Sequence, residues 1–206
     1  MSRDPALQVS TDERWVDVPV WSDGDPGDWA EEVVERLLRR HGRSEPPAVR
    51  RLYVQSWALL VERLRARREG DVPDGASHLA AAYSLVGPDT ADLLPVTTTE
   101  LWAIGTPEGR DAVADGLVAE PQRRFGDPVL REVSSPAGTA VRLQQYLVVP
   151  DSQGADTVET SVAYVWTGPV DGTVVLLTAW FASIVDGEVH EPVLDALAGS
   201  LAFVEL

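Results

Sequence analysis

Four strand-length apolar runs follow one another in the second half of the chain, at residues 129–133, 139–149, 158–167 and 173–184. The connections between them are a few residues long and rich in Gly, Pro, Ser and Asp: Ser135-Pro136-Ala137-Gly138, then residues 150–155, then residues 168–172. Connections this short join neighbouring antiparallel strands, because a parallel crossover needs roughly a dozen residues or more. In the run 139–149, Val141, Leu143, Leu147 and Val149 point to one face. In the run 173–184, Val174, Leu176 and Trp180 alternate with Val175, Leu177 and Phe181, so both faces are apolar. Such a strand is expected in the middle of a sheet that is covered on both sides.

Upstream, residues 76–87 and 93–105 read as a further strand pair between Pro/Gly/Asp clusters. Thr106-Pro107-Glu108 then reads as a helix start, with a cap, an early Pro and an early acid, and the helix is expected to run to about residue 120. Residues 15–21 alternate, but Pro19 demotes them to an edge strand or an extended segment. Residues 1–14 show no periodicity and are expected to be a loose tail.

Two helices are expected next. The first spans residues 28–41, capped by Asp25 or Gly24 with Pro26 in the first turn. It carries the apolar stripe Ala30, Val33, Val34, Leu37, Leu38 and His41. The second spans residues 47–68 and ends in Arg63, Arg65, Arg67 and Arg68, where the negative end of the helix dipole favours cations. A final helix is expected at residues 192–200 and a short closing strand at 202–206.

These elements give an α+β fold: an antiparallel sheet meander flanked by helices, with an N-terminal two-helix part. Residues 15–206 are read as one domain, mainly helical over 15–70 and sheet-containing over 71–206.

Charge is distributed unevenly. The formal net charge is −16, all 17 basic residues are Arg, and 12 of them lie at or before Arg68. Residues 143–206 contain no Arg or Lys and nine carboxylates. Nucleic acid and anionic membrane surfaces are poor partners for such a chain. A basic protein partner is favoured, and a purely solubilising role for the acids is the alternative. There is no Cys, which excludes disulfides and thiolate metal sites. The first residues have no apolar signal core, and the longest apolar run, 174–184, is about half a membrane span, so a cytoplasmic location is expected. Oligomeric state is not legible.

No catalytic signature stands out. The three His are His41, His78 and His190. There is no Gly-x-Ser-x-Gly elbow and no phosphate loop. Asp186-Gly187-Glu188-Val189-His190-Glu191 places oxygen and imidazole ligands close together, but it lacks calcium-loop spacing and reads as a solvated loop leading into a helix. The aromatics are more informative. Tyr146, Tyr164, Trp166 and Trp180 fall on adjacent strands and form either the core beneath a helix or a recognition surface. Tyr146 and Trp166, near strand ends, are expected to be the exposed members.

The C-terminal third, with a long apolar strand (VVLLTAWFAS), an acidic segment, and then PVLDALAGSLAF, resembles the end of the PsbP/DcrB-like superfamily. The resemblance extends from about residue 76 by order of elements. It implies an α/β/α sandwich on an antiparallel sheet and a mostly non-catalytic role, as in extrinsic photosystem proteins, small lipoproteins and effector chaperones. The chain departs from that pattern in its two-helix N-terminal part and in lacking a lipoprotein signal. No functional residues carry over.

The expected function is therefore a non-catalytic cytoplasmic protein-binding module, of adaptor, chaperone or immunity type, without a cofactor or metal. Its expected contact residues are Tyr146, Tyr164, Trp166, Trp180, Asp186, Glu188 and Glu191. The alternative is a small-molecule binder with an apolar pocket between sheet and helices, lined by Trp102, Trp166 or Trp180. A metal enzyme using Asp186, Glu188 and His190 is the third reading.

Overall fold

The computed structural model describes residues 5–69, 77–86, 93–150 and 153–205. Among these residues, nine strands and four α-helices follow the order β1 (Pro5–Gln8), β2 (Trp15–Val18), α1 (Pro26–Arg40), α2 (Pro47–Glu69), β3 (Ser77–Val86), β4 (Pro95–Gly105), α3 (Gly109–Gly116), β5 (Val129–Ser135), β6 (Gly138–Pro150), β7 (Asp156–Thr167), β8 (Thr173–Phe181), α4 (Ile184–Gly199) and β9 (Ala202–Glu205), with a single 3-10 turn at Pro121–Arg123 between α3 and β5. Seven strands form one sheet in the order β2-β3-β4-β8-β7-β6-β5, and every pairing in it is antiparallel. Two meanders, β2-β3-β4 and β5-β6-β7-β8, are thus joined edge to edge by β4 and β8. β8 is the middle strand, as its two apolar faces require.

Strand alternation sends neighbouring residues of β8 into different cores. Val175, Leu177, Ala179 and Phe181 pack with Leu194, Leu197 and Ala198 of α4. Val174 and Leu176 pack with Ala114 of α3 and Leu143 and Val165 of the sheet. The α1–α2 hairpin covers the β2-β3 end of the sheet, with Val61 and Leu64 against Leu79 and Ala82. Helices therefore lie on both faces.

Local chemistry sets the helix boundaries. Asp25 caps α1 by accepting from the Gly27 and Asp28 amides at 2.7 and 3.2 Å, with Pro26 at the first helical position. Two of the four C-terminal arginines of α2 tie the hairpin to its neighbours. Arg65 donates to the carbonyls of Pro19 and Gly24, and Arg67 pairs with Glu100 while its guanidinium lies 5.9 Å from the Trp102 ring centre. At the centre of the hairpin, buried Trp57 packs edge-on against Trp29 and donates its indole N–H to the Leu93 carbonyl at 2.9 Å.

The N-terminal part is not purely helical. β1 and β2 precede the helices; β2 lies at the sheet edge beside β3, where Pro19 allows it. The segment read as a loose tail includes β1, which pairs with β9 and is held further by Ser10–Ser200 hydrogen bonds; residues 1–4 of that segment lie outside the described residues. A four-residue strand has too little local pattern to be visible without its distant partner.

α3 also begins later than its sequence suggests. The Thr106 amide is taken by the Gly172 carbonyl at 2.7 Å, and Gly109 sits at φ 80°, so the helix starts beyond Thr106. No helix among the described residues is long and apolar enough to cross a membrane.

Replacing Trp57 by Phe keeps most of the apolar bulk but leaves the buried Leu93 carbonyl without its donor. The variant should lose about 1–3 kcal/mol in urea unfolding. An unchanged midpoint would show that the hairpin does not depend on this bond.

Candidate functional site: the C-terminal helix and its buried anchor

α4 starts at Ile184, eight residues before the expected start at Pro192. Ser183 caps it: its hydroxyl accepts from the Asp186 amide at 3.0 Å and donates to the Asp186 carboxylate at 2.7 Å. The Ser183-x-x-Asp186 spacing is a cap signature present in the sequence. Two residues that usually break helices obscured it. Gly187 is required by close approach, because a Cβ there would lie 2.6 Å from the Thr160 side chain. Pro192 lies on the exposed side of the helix.

The helix carries apolar residues on two sides, separated by an acidic flank, yet only one side is buried. Leu194, Leu197 and Ala198 face the sheet. Val185, Val189, Pro192 and Ala196, spaced by four, three and four residues, form a stripe in solvent. Val185 and Val189 are 67% and 63% exposed, the most exposed large apolar side chains among the described residues. Glu188 is exposed beside this stripe.

Beneath the acidic flank of α4 lies Arg142 of β6, only 1% exposed. Its Nε donates to Asp195 Oδ1 at 3.0 Å and to the Tyr164 hydroxyl at 3.3 Å, and its Nη1 donates to Gln144 Oε1 at 2.9 Å. Its Nη2 lies 2.9 Å from Glu191 Oε1, an ion pair without hydrogen-bond geometry. Arg131 of the edge strand β5 reaches both carboxylates from outside. Tyr164 donates its hydroxyl to Asp195. Burial works against the Arg142 charge, but contacts with Tyr164, Asp195 and Glu191 outweigh it and hold the guanidinium above its ordinary pKa. Burial, reinforced by the bond to Asp195, pushes the Tyr164 phenol well up. Two guanidiniums thus meet two carboxylates in a neutral clamp that fixes the rotation of α4 and turns its apolar stripe outward.

The structure divides the aromatics expected at the surface. Tyr146, Tyr164 and Trp166 share the sheet face beneath α4, while Trp180 points to the opposite face. Trp166 is fully buried, correcting the expectation of exposure; it stacks on Tyr164 at 5.9 Å and donates its indole N–H to Ser135 Oγ at 3.0 Å. Tyr164 is equally buried. Both lie on β7, with α4 on one side and β5–β6 beside them, so the position of Trp166 near a strand end does not expose it. Tyr146 is half-buried, its hydroxyl 3.4 Å from Gln144 Nε2. Trp180 is half-exposed. Of the acids, Asp186 is spent on the helix cap, Glu191 on the clamp, and Glu188 faces solvent.

The Asp186–Glu191 segment is helical rather than a loop. The helix separates its polar groups: His190 stacks on Phe181 at 6.0 Å while Glu188 points outward. Among the described residues, no group of three His, Asp or Glu is placed to hold a metal ion. Arg142 escaped sequence reading because the Arg142/Gln144/Tyr146 side of β6 resembles a solvated face. The available signal was that Arg142 is the last basic residue before nine unpaired-by-sequence carboxylates.

No protein-family model matches the chain, and no curated protein matches it.

Asp195→Ala should cost about 3–5 kcal/mol, since the buried Arg142 guanidinium, which cannot shed its charge, loses its hydrogen-bonded carboxylate and keeps only the Glu191 ion pair and its neutral partners. Arg142→Met should cost less, because the carboxylates it leaves are partly hydrated and still reached by Arg131. Equal losses in chemical denaturation would contradict the clamp.

Burial lowers the His190 pKa, with Arg14 adding to that effect and Asp186 opposing it. The unfolded chain then binds the extra proton first as pH falls below about 6.5, so stability should decline there. His190→Phe should flatten the stability–pH curve between pH about 5 and 7, and an unchanged slope would exclude His190 as its source.

Proposed function

We propose that the protein is a recognition module that captures a basic, apolar segment of a protein partner on the outer face of α4. The observation that carries this reading is the solvent-exposed Val185–Val189–Pro192–Ala196 stripe on a helix that already buries another apolar side against the sheet. Contiguous exposed apolar side chains with a polar rim are a mark of interaction surfaces.

Charge selects the partner. Glu188 flanks the stripe, no basic residue follows Arg142, and the chain carries −16 overall. A second copy would bring like charges together, whereas a basic amphipathic segment gains from both the stripe and the field. Helix-to-helix docking through spaced apolar anchors is an established recognition mode. The half-buried Tyr146 and the exposed Val129 of β5 lie on the same side of the sheet as α4. An adaptor or chaperone role over an enzymatic one is what the PsbP/DcrB-like resemblance of the sequence implies.

A basic amphipathic peptide of leucine and lysine, titrated into the labelled protein, should shift amide resonances along α4. Affinity should fall as salt rises from low to physiological ionic strength. Val189→Asp should abolish the shifts, and a leucine–glutamate peptide should cause none. Equal binding of both peptides, or shifts confined to another face, would defeat the proposal.

A further inference from the structure

A second site lies away from α4, at the opposite end of β8. Ala80 interrupts the β3–β4 register, which jumps between Leu79 and Ala81. Such bulges re-aim backbone groups, and they recur beside binding sites. Here the Ala80 carbonyl accepts the Trp21 indole N–H at 3.0 Å. The bond fixes the Trp21 ring at the rim of a cavity of about 440 Å³. Leu7, Ala103, Val174 and Val175 supply apolar walls, and Val170 of the β7–β8 turn stands at the rim with Trp21. Trp21 is 54% exposed and Val170 52%, so two large side chains reach the surface beside a concavity.

The lining is chemically selective. Among the described residues, no acid and no arginine lines this cavity. Its polar side chains are His78, Thr173 and the already bonded indole of Trp21. A charged ligand would lose its hydration there without a counter-charge. The volume falls in the range of small-molecule sites and is too small for a folded segment.

We infer that this cavity binds a compact, uncharged, largely apolar small molecule, stacked against Trp21 and offered a hydrogen-bonding partner by His78, or an acceptor by the Thr173 hydroxyl, which already donates to the Val170 carbonyl. The site is independent of the α4 surface. The sequence pointed to Trp102, Trp166 or Trp180 as the lining of such a pocket. The structure instead packs Trp166 completely, wedges Trp102 between two core clusters, and places Trp180 on the far half of β8.

N-phenylnaphthylamine, a neutral fluorescent probe, tests the assignment on the full chain. Its emission should rise saturably with one site per chain, and the Trp21 indole resonance, identified by its absence in Trp21→Phe, should shift. Val170→Asp at the rim and Ala103→Leu in the wall should each weaken binding about tenfold or more. Two substitutions at different places guard against a folding artefact, and matching thermal melts verify that each variant is folded. Val189→Asp should keep probe binding intact while losing the basic peptide, which separates this site from the α4 surface. Non-saturating emission, an unmoved Trp21 resonance, equal loss in Val189→Asp, or equally tight binding of the probe's sulfonated analogue would each overturn the inference.

Discussion

β8 is the constraint on which the architecture rests. It hydrogen-bonds to β4 on one side and β7 on the other, so the two meanders form one sheet only through it. Its alternating side chains feed two cores, one under α4 and one under α3. A polar residue at Leu177 would enter the first core, and one at Leu176 the second. The strand also hands the chain directly to α4 through the Ser183 cap, so the placement of the helix is inherited from the middle of the sheet.

The clamp around Arg142 sets the rotation of that helix. Apolar packing alone would tolerate more than one rotation of a helix that carries apolar residues both towards the sheet and towards solvent. Asp195 and Glu191 remove this freedom, because each must meet a guanidinium whose own position is fixed by β5 and β6. Buried ion pairs are weak sources of net stability but good selectors among alternative arrangements. Here the selected arrangement leaves Val185 and Val189 in water. Exposure of that stripe and burial of Arg142 are two faces of one packing solution.

Much of the fold was legible from local patterns. The meander from β5 to β8 followed from turn spacing, α1 from its cap and stripe, and the central place of β8 from its two apolar faces. What escaped depended on distant partners. β1 exists because β9 lies alongside it, and the β4–β8 junction leaves no short-range signal. The Arg142, Gln144 and Tyr146 side of β6 reads as solvated until α4 is laid over it. Of the expected contact residues, Glu188 is at the surface and Tyr146 partly so. Tyr164 and Trp166 lie in the core because one sheet face carries both the aromatics and the helix that covers them. The exposed valines of α4 were missed because Gly187 and Pro192 hid the first half of the helix, and so the stripe had no visible period.

The absence of native Cys makes the central claim directly measurable. Single substitutions Val185→Cys, Val189→Cys, Leu194→Cys and Leu197→Cys can be compared by their rate of thiol modification in the native protein. Thiols at 185 and 189 should react nearly as fast as in the unfolded chain, and those at 194 and 197 should be strongly protected. Protection at 185 and 189 in the isolated protein would mean that α4 is rotated or already covered, and the account of its outer face would fail.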